Sequence, residues 1–187
     1  MSGASKILST REICYISIFV AIISVCAQIQ IPMPFGVPLT LQTFAIMLTG
    51  VVLGVKKGVI AVFVYILLGA FGVPVFSSFS GGPGIIFGRT GGFILSFPLL
   101  VIASGVGMYK IDKLKDNRIW LAFWLTFGTA VNFTCGVFMF SFVMSMPLAI
   151  SFGYAAAPFI PTELIKIIIL IFFGKKIKHS VIGGVPS

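Results

Sequence analysis

The sequence predicts an all-α integral membrane protein of six transmembrane helices, with both termini cytoplasmic and a Gly/Pro-rich outer segment between helices three and four. Three observations predict it. Of 187 residues, 58% are hydrophobic and only 9% charged, with a mean hydropathy of +1.16, whereas a soluble domain carries about a quarter charged residues. The apolar residues gather into six runs. The basic residues then fall into alternate connections: Lys6 and Arg11; Lys56 and Lys57; Lys110, Lys113, Lys115 and Arg118; Lys175, Lys176 and Lys178. These are eleven of the thirteen Lys and Arg residues, and they share one side if every run crosses, as the positive-inside rule requires. The chain reads as one membrane domain over residues 1–187. Its +9 charge does not indicate nucleic acid, because the cations sit in short clusters at span ends with no interleaved aromatic stripe.

The elements follow in order. The first run, about 13–31, comes after Lys6 and Arg11 and superficially resembles a signal peptide. No convincing small-residue cleavage site follows, and five more runs do, so a permanent helix is expected. Pro32, Pro34, Gly36 and Pro38 break it, since proline lacks a donor and restricts the residue before it. The second and third runs, about 41–55 and 58–72, are short against the ~20 residues a full crossing takes. Part of the outer wall is therefore expected to be loop, tolerable only where protein or water satisfies its backbone. The stretch 73–92 holds six glycines, two prolines, three serines, three phenylalanines and Arg89. It is too apolar for a solvated loop and too glycine-rich for a lipid-facing helix, so a packed re-entrant or lid-like segment is expected. The last three runs are about 93–109, 119–142 and 155–173.

Two cations and one acid depart from the charge pattern and mark a candidate site. Arg89 lies in the outer segment, and Lys166 lies inside the last run, three residues after Glu163 and on the same helix face. Charge within a span is costly and by default faces a bundle interior or a cavity; the alternative is an interfacial pair that snorkels to water. Phe79, Phe87, Phe93, Tyr154 and Phe159 cluster near these charges in sequence order, and an apolar pocket with a few convergent polar groups suits a small molecule. Catalysis is disfavoured: there is no second acid in reach, no Ser–His or Cys–His pairing and no metal-ligand spacing. Gly81-Gly82-Pro83-Gly84 lacks the lysine and the strand–helix context of a phosphate loop, so no ATP-binding motif is present. Cys14 and Cys26 share one helix about 18 Å apart and cannot pair. On the first helix, Ser17 and Ala21 are small residues four apart, with Ala27 further on, and permit close helix approach. They serve either packing within the bundle or a partner interface.

Specific strings resemble a known family. Pro34-Phe35-Gly36-Val37-Pro38-Leu39-Thr40-Leu41-Gln42-Thr43-Phe44 is similar to the first outer loop and second helix of the BioY family, the biotin-binding S components of energy-coupling-factor (ECF) transporters. Residues 69–97, with Gly72-Val73-Pro74-Val75-Phe76 and Gly88-x-Thr90-Gly91-Gly92, resemble its third outer segment. Pro158-Phe159-Ile160-Pro161-x-Glu163-x-x-Lys166 is similar to its sixth-helix site, where an aspartate usually precedes the lysine. The resemblance implies a six-helix substrate-capture subunit in a prokaryotic cytoplasmic membrane, without enzymatic activity or cofactor. It would bind biotin near the outer face and associate with an ECF transmembrane coupling protein and two ATP-binding subunits. It assigns partner coupling to Ser17 and Ala21. The alternatives are an S component for another vitamin or a non-transport assembly subunit.

Biotin's chemistry then gives roles to residues. Glu163 suits the two ureido N–H groups, Lys166 an oxygen, and Arg89 the valerate carboxylate, unless Arg89 instead pairs with Glu163. Phe79, Phe87 and Tyr154 are expected to line the ring walls, with Ser78 beside them. Gln42, Thr43 and Asn132 are further polar candidates. An asparagine that some members carry around Ser77–Ser80 is missing, and Glu163 reaches one methylene further than the usual aspartate.

Overall fold

In a computed structural model, residues 8–33, 36–113 and 118–182 are described, with the side chains of 110–113 excepted. Lys6, Pro34, Phe35 and Lys115 lie outside the described residues. The first helix, α1 (Thr10–Gln28), starts at a capping box: the Glu12 N–H donates to Ser9 Oγ at 3.3 Å, and Glu12 Oε2 accepts from the Ser9 N–H at 2.9 Å. Its buried stripe is Ile16, Phe19, Val20, Ile23 and Ala27, at helical spacing. Ser17 and Ala21 are exposed beside that stripe, and Ser17 borders a groove with Ile60, Val64 and Leu68. The helix ends at Gln28 and not near 31, because Gln30–Ile31 (β1) pairs antiparallel with Leu39–Thr40 (β2), Gln30 opposite Thr40.

Residues Gln42–Ala70 (α2) form a tight helical hairpin. At Gly54 the backbone has φ 74° and ψ −179°, a region essentially open to glycine alone. The chain reverses there, and Gln42 Nε2 donates to Tyr65 Oη at 2.8 Å. In a straight helix those residues would stand ~35 Å apart. The turn expected at Lys56 and Lys57 is thus displaced to Gly54, and both lysines belong to the second limb. Limb 42–53 is too short to cross hydrocarbon alone, leaving the β1–β2 ribbon and the segment after α2 to complete the wall.

That segment contains a 3-10 turn at Ser77–Phe79 and the short helix α3 (Pro83–Ile86). It is pinned rather than loose. Gln28 Nε2 donates to the Phe76 carbonyl at 3.0 Å, and Gln28 Oε1 accepts from the Phe79 N–H at 2.8 Å. Tyr65 Oη donates to the Val75 carbonyl at 3.1 Å, and the Tyr65 and Phe76 rings meet edge to face. Then come α4 (Gly91–Lys113), α5 (Arg118–Met144), α6 (Leu148–Ala155) and α7 (Ile160–Ile182). The run expected at 155–173 is therefore preceded by a short separate helix and begins at Ile160, after a 3-10 turn over Ala157–Phe159. A continuous apolar core joins α1, both limbs of α2, α4, α5 and α7.

The charged groups sort to the ends of the bundle. Tyr15 Oη donates to the Val181 carbonyl at 3.2 Å, bringing the start of α1 to the end of α7. Lys57 pairs with Glu12 at 2.8 Å, and the Arg118 guanidinium stands over the Phe172 ring. Arg11, Lys57, Arg118 and Lys175–Lys178 consequently share one end. Arg89 stands at the other, with the β1–β2 ribbon.

Candidate substrate-binding site

Two adjacent chambers lie beneath the ribbon, with Pro38, Ser77 and Thr90 in the lining of both. The outer one has a volume of about 350 Å³ and is lined by Gln30, Met33, Gly36, Ser78, Ile85 and Arg89 among others. The inner one measures about 60 Å³; Phe76, Phe93, Phe97, Phe133 and Phe159 wall it, and Gln42, Thr43 and Glu163 supply its polar surface.

Glu163 and Lys166 meet on the first turns of α7, 4% and 5% exposed. The Lys166 ammonium donates to Glu163 Oε1 at 2.6 Å, to the Thr40 carbonyl at 2.6 Å and to Thr43 Oγ1 at 2.9 Å. Thr43 Oγ1 in turn donates to the same Glu163 Oε1 at 2.6 Å. All three ammonium protons are therefore engaged, and the β2 register is what aims the Thr40 carbonyl at them. Lys166 lines neither chamber, so its reach to a ligand runs through Glu163. Glu163 Oε2, by contrast, is buried and accepts no hydrogen bond from any described residue. A buried carboxylate oxygen left without a donor is expensive, and this one belongs to a residue lining the inner chamber. The pair is not an interfacial snorkel; it is a fixed acceptor behind aromatic walls.

Arg89 does not pair with Glu163. Its guanidinium lies against Gly36, where a Cβ would come within 2.7 Å of Cζ; Gly36 also has φ +77°. A residue with a side chain there would be strained and would displace the arginine. Arg89 is exposed to the outer chamber and makes no hydrogen bond or ion pair with another described residue. Ser78 lines the same chamber, held by Gln30 Nε2 donating to its Oγ at 2.6 Å.

Other expected residues stand elsewhere. Phe79 and Phe87 are each 73% exposed and line neither chamber. The 3-10 turn and α3 put them on the outside, and Ser78 and Phe79 are both in the left-handed region, which turns the chain so. Tyr154, on α6, is half-exposed and also off both chambers. Asn132 lies behind the inner wall: its Nδ2 donates to the Phe93 carbonyl at 2.9 Å and to Ser96 Oγ at 2.8 Å, positioning the start of α4. The Phe93 ring fits only because Gly136, one turn on, has no side chain there. Sequence reasoning missed the wall formed by Phe76, Phe97 and Phe133, and the anchoring of the outer segment by Gln28 and Tyr65. Glutamines and a tyrosine inside apolar runs were the available signal.

A multi-pass helical membrane protein that buries one unsatisfied carboxylate oxygen among aromatics at one end, below a guanidinium, is built to hold a small molecule. The BioY family profile matches residues 1–183. The chain is 37% identical over 172 residues to a protein named biotin transporter BioY from Thermotoga maritima, covering 90% of this chain and 96% of the relative. It is 40% identical over 130 residues to a probable biotin transporter BioY from Pyrococcus horikoshii, covering 67% and 80%. Its fold superimposes with a TM-score of 0.83, at 26% identity and over 96% of this chain and 95% of the other, on a crystal structure of the S-component for biotin from an ECF-type ABC transporter. The chain belongs to the BioY family.

Proposed function

We propose that this chain is the biotin-capture subunit of an ECF-type uptake transporter in a prokaryotic cytoplasmic membrane, with both termini on the cytoplasmic side. The observation that carries the binding mode is Glu163 Oε2. Biotin's ureido ring presents two N–H donors, its fused rings are apolar, and its valerate tail ends in a carboxylate. With the ureido head in the inner chamber, an N–H donates to Oε2 and the rings rest on Phe93, Phe97, Phe133 and Phe159. The tail then runs past Ser77 and Thr90, which border both chambers, to Arg89, whose planar donors suit a carboxylate bidentately. Seating a bicyclic head requires the 60 Å³ inner chamber to widen, and Phe76, Ser77 and Thr90 are the residues of the outer segment that border it.

Lys166 and Thr43 hold Glu163 Oε1 and so orient Oε2, and Gln42, held by Tyr65, completes the polar edge. Asn132 is a positioning residue behind Phe93. The chain acts as a binding protein and not as an enzyme, and it requires no cofactor. Energy comes from a coupling protein and two ATP-binding subunits, and the exposed small residues Ser17 and Ala21 suit close approach of a partner helix. Radiolabelled biotin titrated into the purified chain tests the reading. Saturable one-to-one binding, undisplaced by excess riboflavin or thiamine, is expected. Displacement by another vitamin would assign the site to that molecule.

A further inference from the structure

The end of the bundle opposite the chambers carries a second cavity that capture of a vitamin does not use. It has a volume of about 420 Å³ and lies between the start of α5 and the last turns of α7. Four basic side chains line it: Arg118 from α5, with Lys175, Lys176 and His179 from α7. Its remaining wall is apolar, including Leu121 and Phe172. On α7 the residues Phe172, Lys175, Lys176 and His179 are spaced so as to share one face. The Arg118 guanidinium stands 5.5 Å from the Phe172 ring centroid, which ties the two helices together across the cavity. In the sequence just before Arg118, Lys110, Lys113 and Lys115 outnumber Asp112 and Asp116, so the stretch is net positive with both acids counted.

We infer that this cavity binds the phosphate of an anionic phospholipid headgroup. Cations concentrated in a concave site between spanning helices, on the side rich in lysine, recognise such headgroups. The apolar part of the site separates a lipid from a free anion. Below the basic ring, Phe172, Ile169, Ile168 and Ile165 form an exposed apolar column on α7, at i, i−3, i−4 and i−7. It runs ~10 Å toward the middle of the bundle and gives an acyl chain a track continuous with the headgroup site. The level is also that of an interface: Trp120 and Trp124 pack with Phe123 and Phe127 on the first turns of α5, and tryptophan gathers at headgroup depth. Inorganic phosphate would use the cations alone, whereas a phospholipid uses both.

The test employs the full chain, delipidated in neutral detergent, and three probes: dioctanoyl phosphatidylglycerol, dioctanoyl phosphatidylcholine and inorganic phosphate. Binding is read by native mass spectrometry and by the shift in melting temperature. Phosphatidylglycerol should bind at least ten-fold more tightly than phosphatidylcholine, and phosphate should neither bind at the same concentration nor displace it. Arg118→Gln with Lys175→Gln and Lys176→Gln should weaken phosphatidylglycerol at least ten-fold. Lys178→Gln, on the same helix but outside the cavity, should change it less than two-fold. Biotin binding and the size-exclusion profile report whether the triple variant is folded. Should it not be, the single Lys175→Gln and Lys176→Gln variants, at exposed positions, should each weaken the lipid two- to three-fold. Equal binding of the two lipids, effective competition by phosphate, or unchanged phosphatidylglycerol binding in the variants overturns the proposal. So does a triple variant that keeps its lipid but fails to assemble with a partner protein, which would make the cavity a protein contact.

Discussion

Replacing Glu163 by glutamine changes almost no volume and removes one charge, and its consequences can be worked from the geometry. In the native protein Oε1 takes hydrogen bonds from Lys166 and Thr43, both at 2.6 Å, and Oε2 is left as the acceptor in the inner chamber. The glutamine oxygen will take the Oε1 position, because two donors fix it there. Its NH2 group then occupies the Oε2 position, so a donor faces the donors of the ureido ring. A hydrogen bond to a charged group is worth about 1.5–3 kcal/mol, which corresponds to a loss of about ten-fold to a hundred-fold or more in affinity. Glu163→Ala should lose at least ten-fold, since it removes the acceptor and leaves Lys166 with Thr40 and Thr43 alone. Glu163→Asp should be milder. Isothermal titration of purified variants with biotin measures each loss, and a melting curve without ligand monitors the fold. If Glu163→Gln binds biotin as the native chain does, with an unchanged melting temperature, Oε2 is not the acceptor and the orientation of the ligand is wrong.

Four further outcomes are expected. Lys166→Met alone should destabilise the chain by about 3–5 kcal/mol, because it leaves a buried carboxylate unpaired, whereas Glu163→Met with Lys166→Met should restore stability and still not bind biotin; thermal melts beside titrations separate the two effects. Arg89→Gln should weaken biotin about ten-fold yet leave biotin carboxamide, which lacks the carboxylate, unchanged, as competition against labelled biotin would reveal. Ser17→Trp and Ala21→Trp place bulk on an exposed face of α1, so the isolated subunit should melt and bind normally while a pull-down of the coupling module fails; loss of biotin binding in these variants would contradict the exposed placement. Gly54→Ala should cost about 1–3 kcal/mol through backbone strain alone, there being open space for its methyl group, and a melt unchanged by it would count against the hairpin turn.

What the sequence made legible was whatever has a period or a sign. Apolar runs and alternating lysines mark long helices and the end where the cations gather, and the i, i+3 spacing of Glu163 and Lys166 places both on one face. Positions set by backbone geometry were less legible. Lys56 and Lys57 look like a loop because they are charged, but the reversal needs a residue tolerant of φ 74°, and of the two flanking glycines it is Gly54 and not Gly58 that adopts it. Leu148–Ala155 falls almost wholly between the runs at 119–142 and 155–173, because eight residues carry too little periodicity to mark a helix of their own. The side that Phe79 and Phe87 would present was not decidable in advance, since consecutive left-handed residues at Ser78 and Phe79 turn them outward and no periodic pattern applies there. Thr43 was named among the polar candidates, but the Thr40 carbonyl could not be foreseen without the β1–β2 register that carries it to Lys166.

The binding mode is tested most directly by a structure of the chain with biotin bound. It should place a ureido nitrogen within hydrogen-bond distance of Glu163 Oε2, the fused rings against Phe93 and Phe133, and the carboxylate on Arg89 above Gly36. A ligand bound head-outward, with its carboxylate toward Lys166, or one seated outside both chambers while Oε2 takes a water, would contradict it.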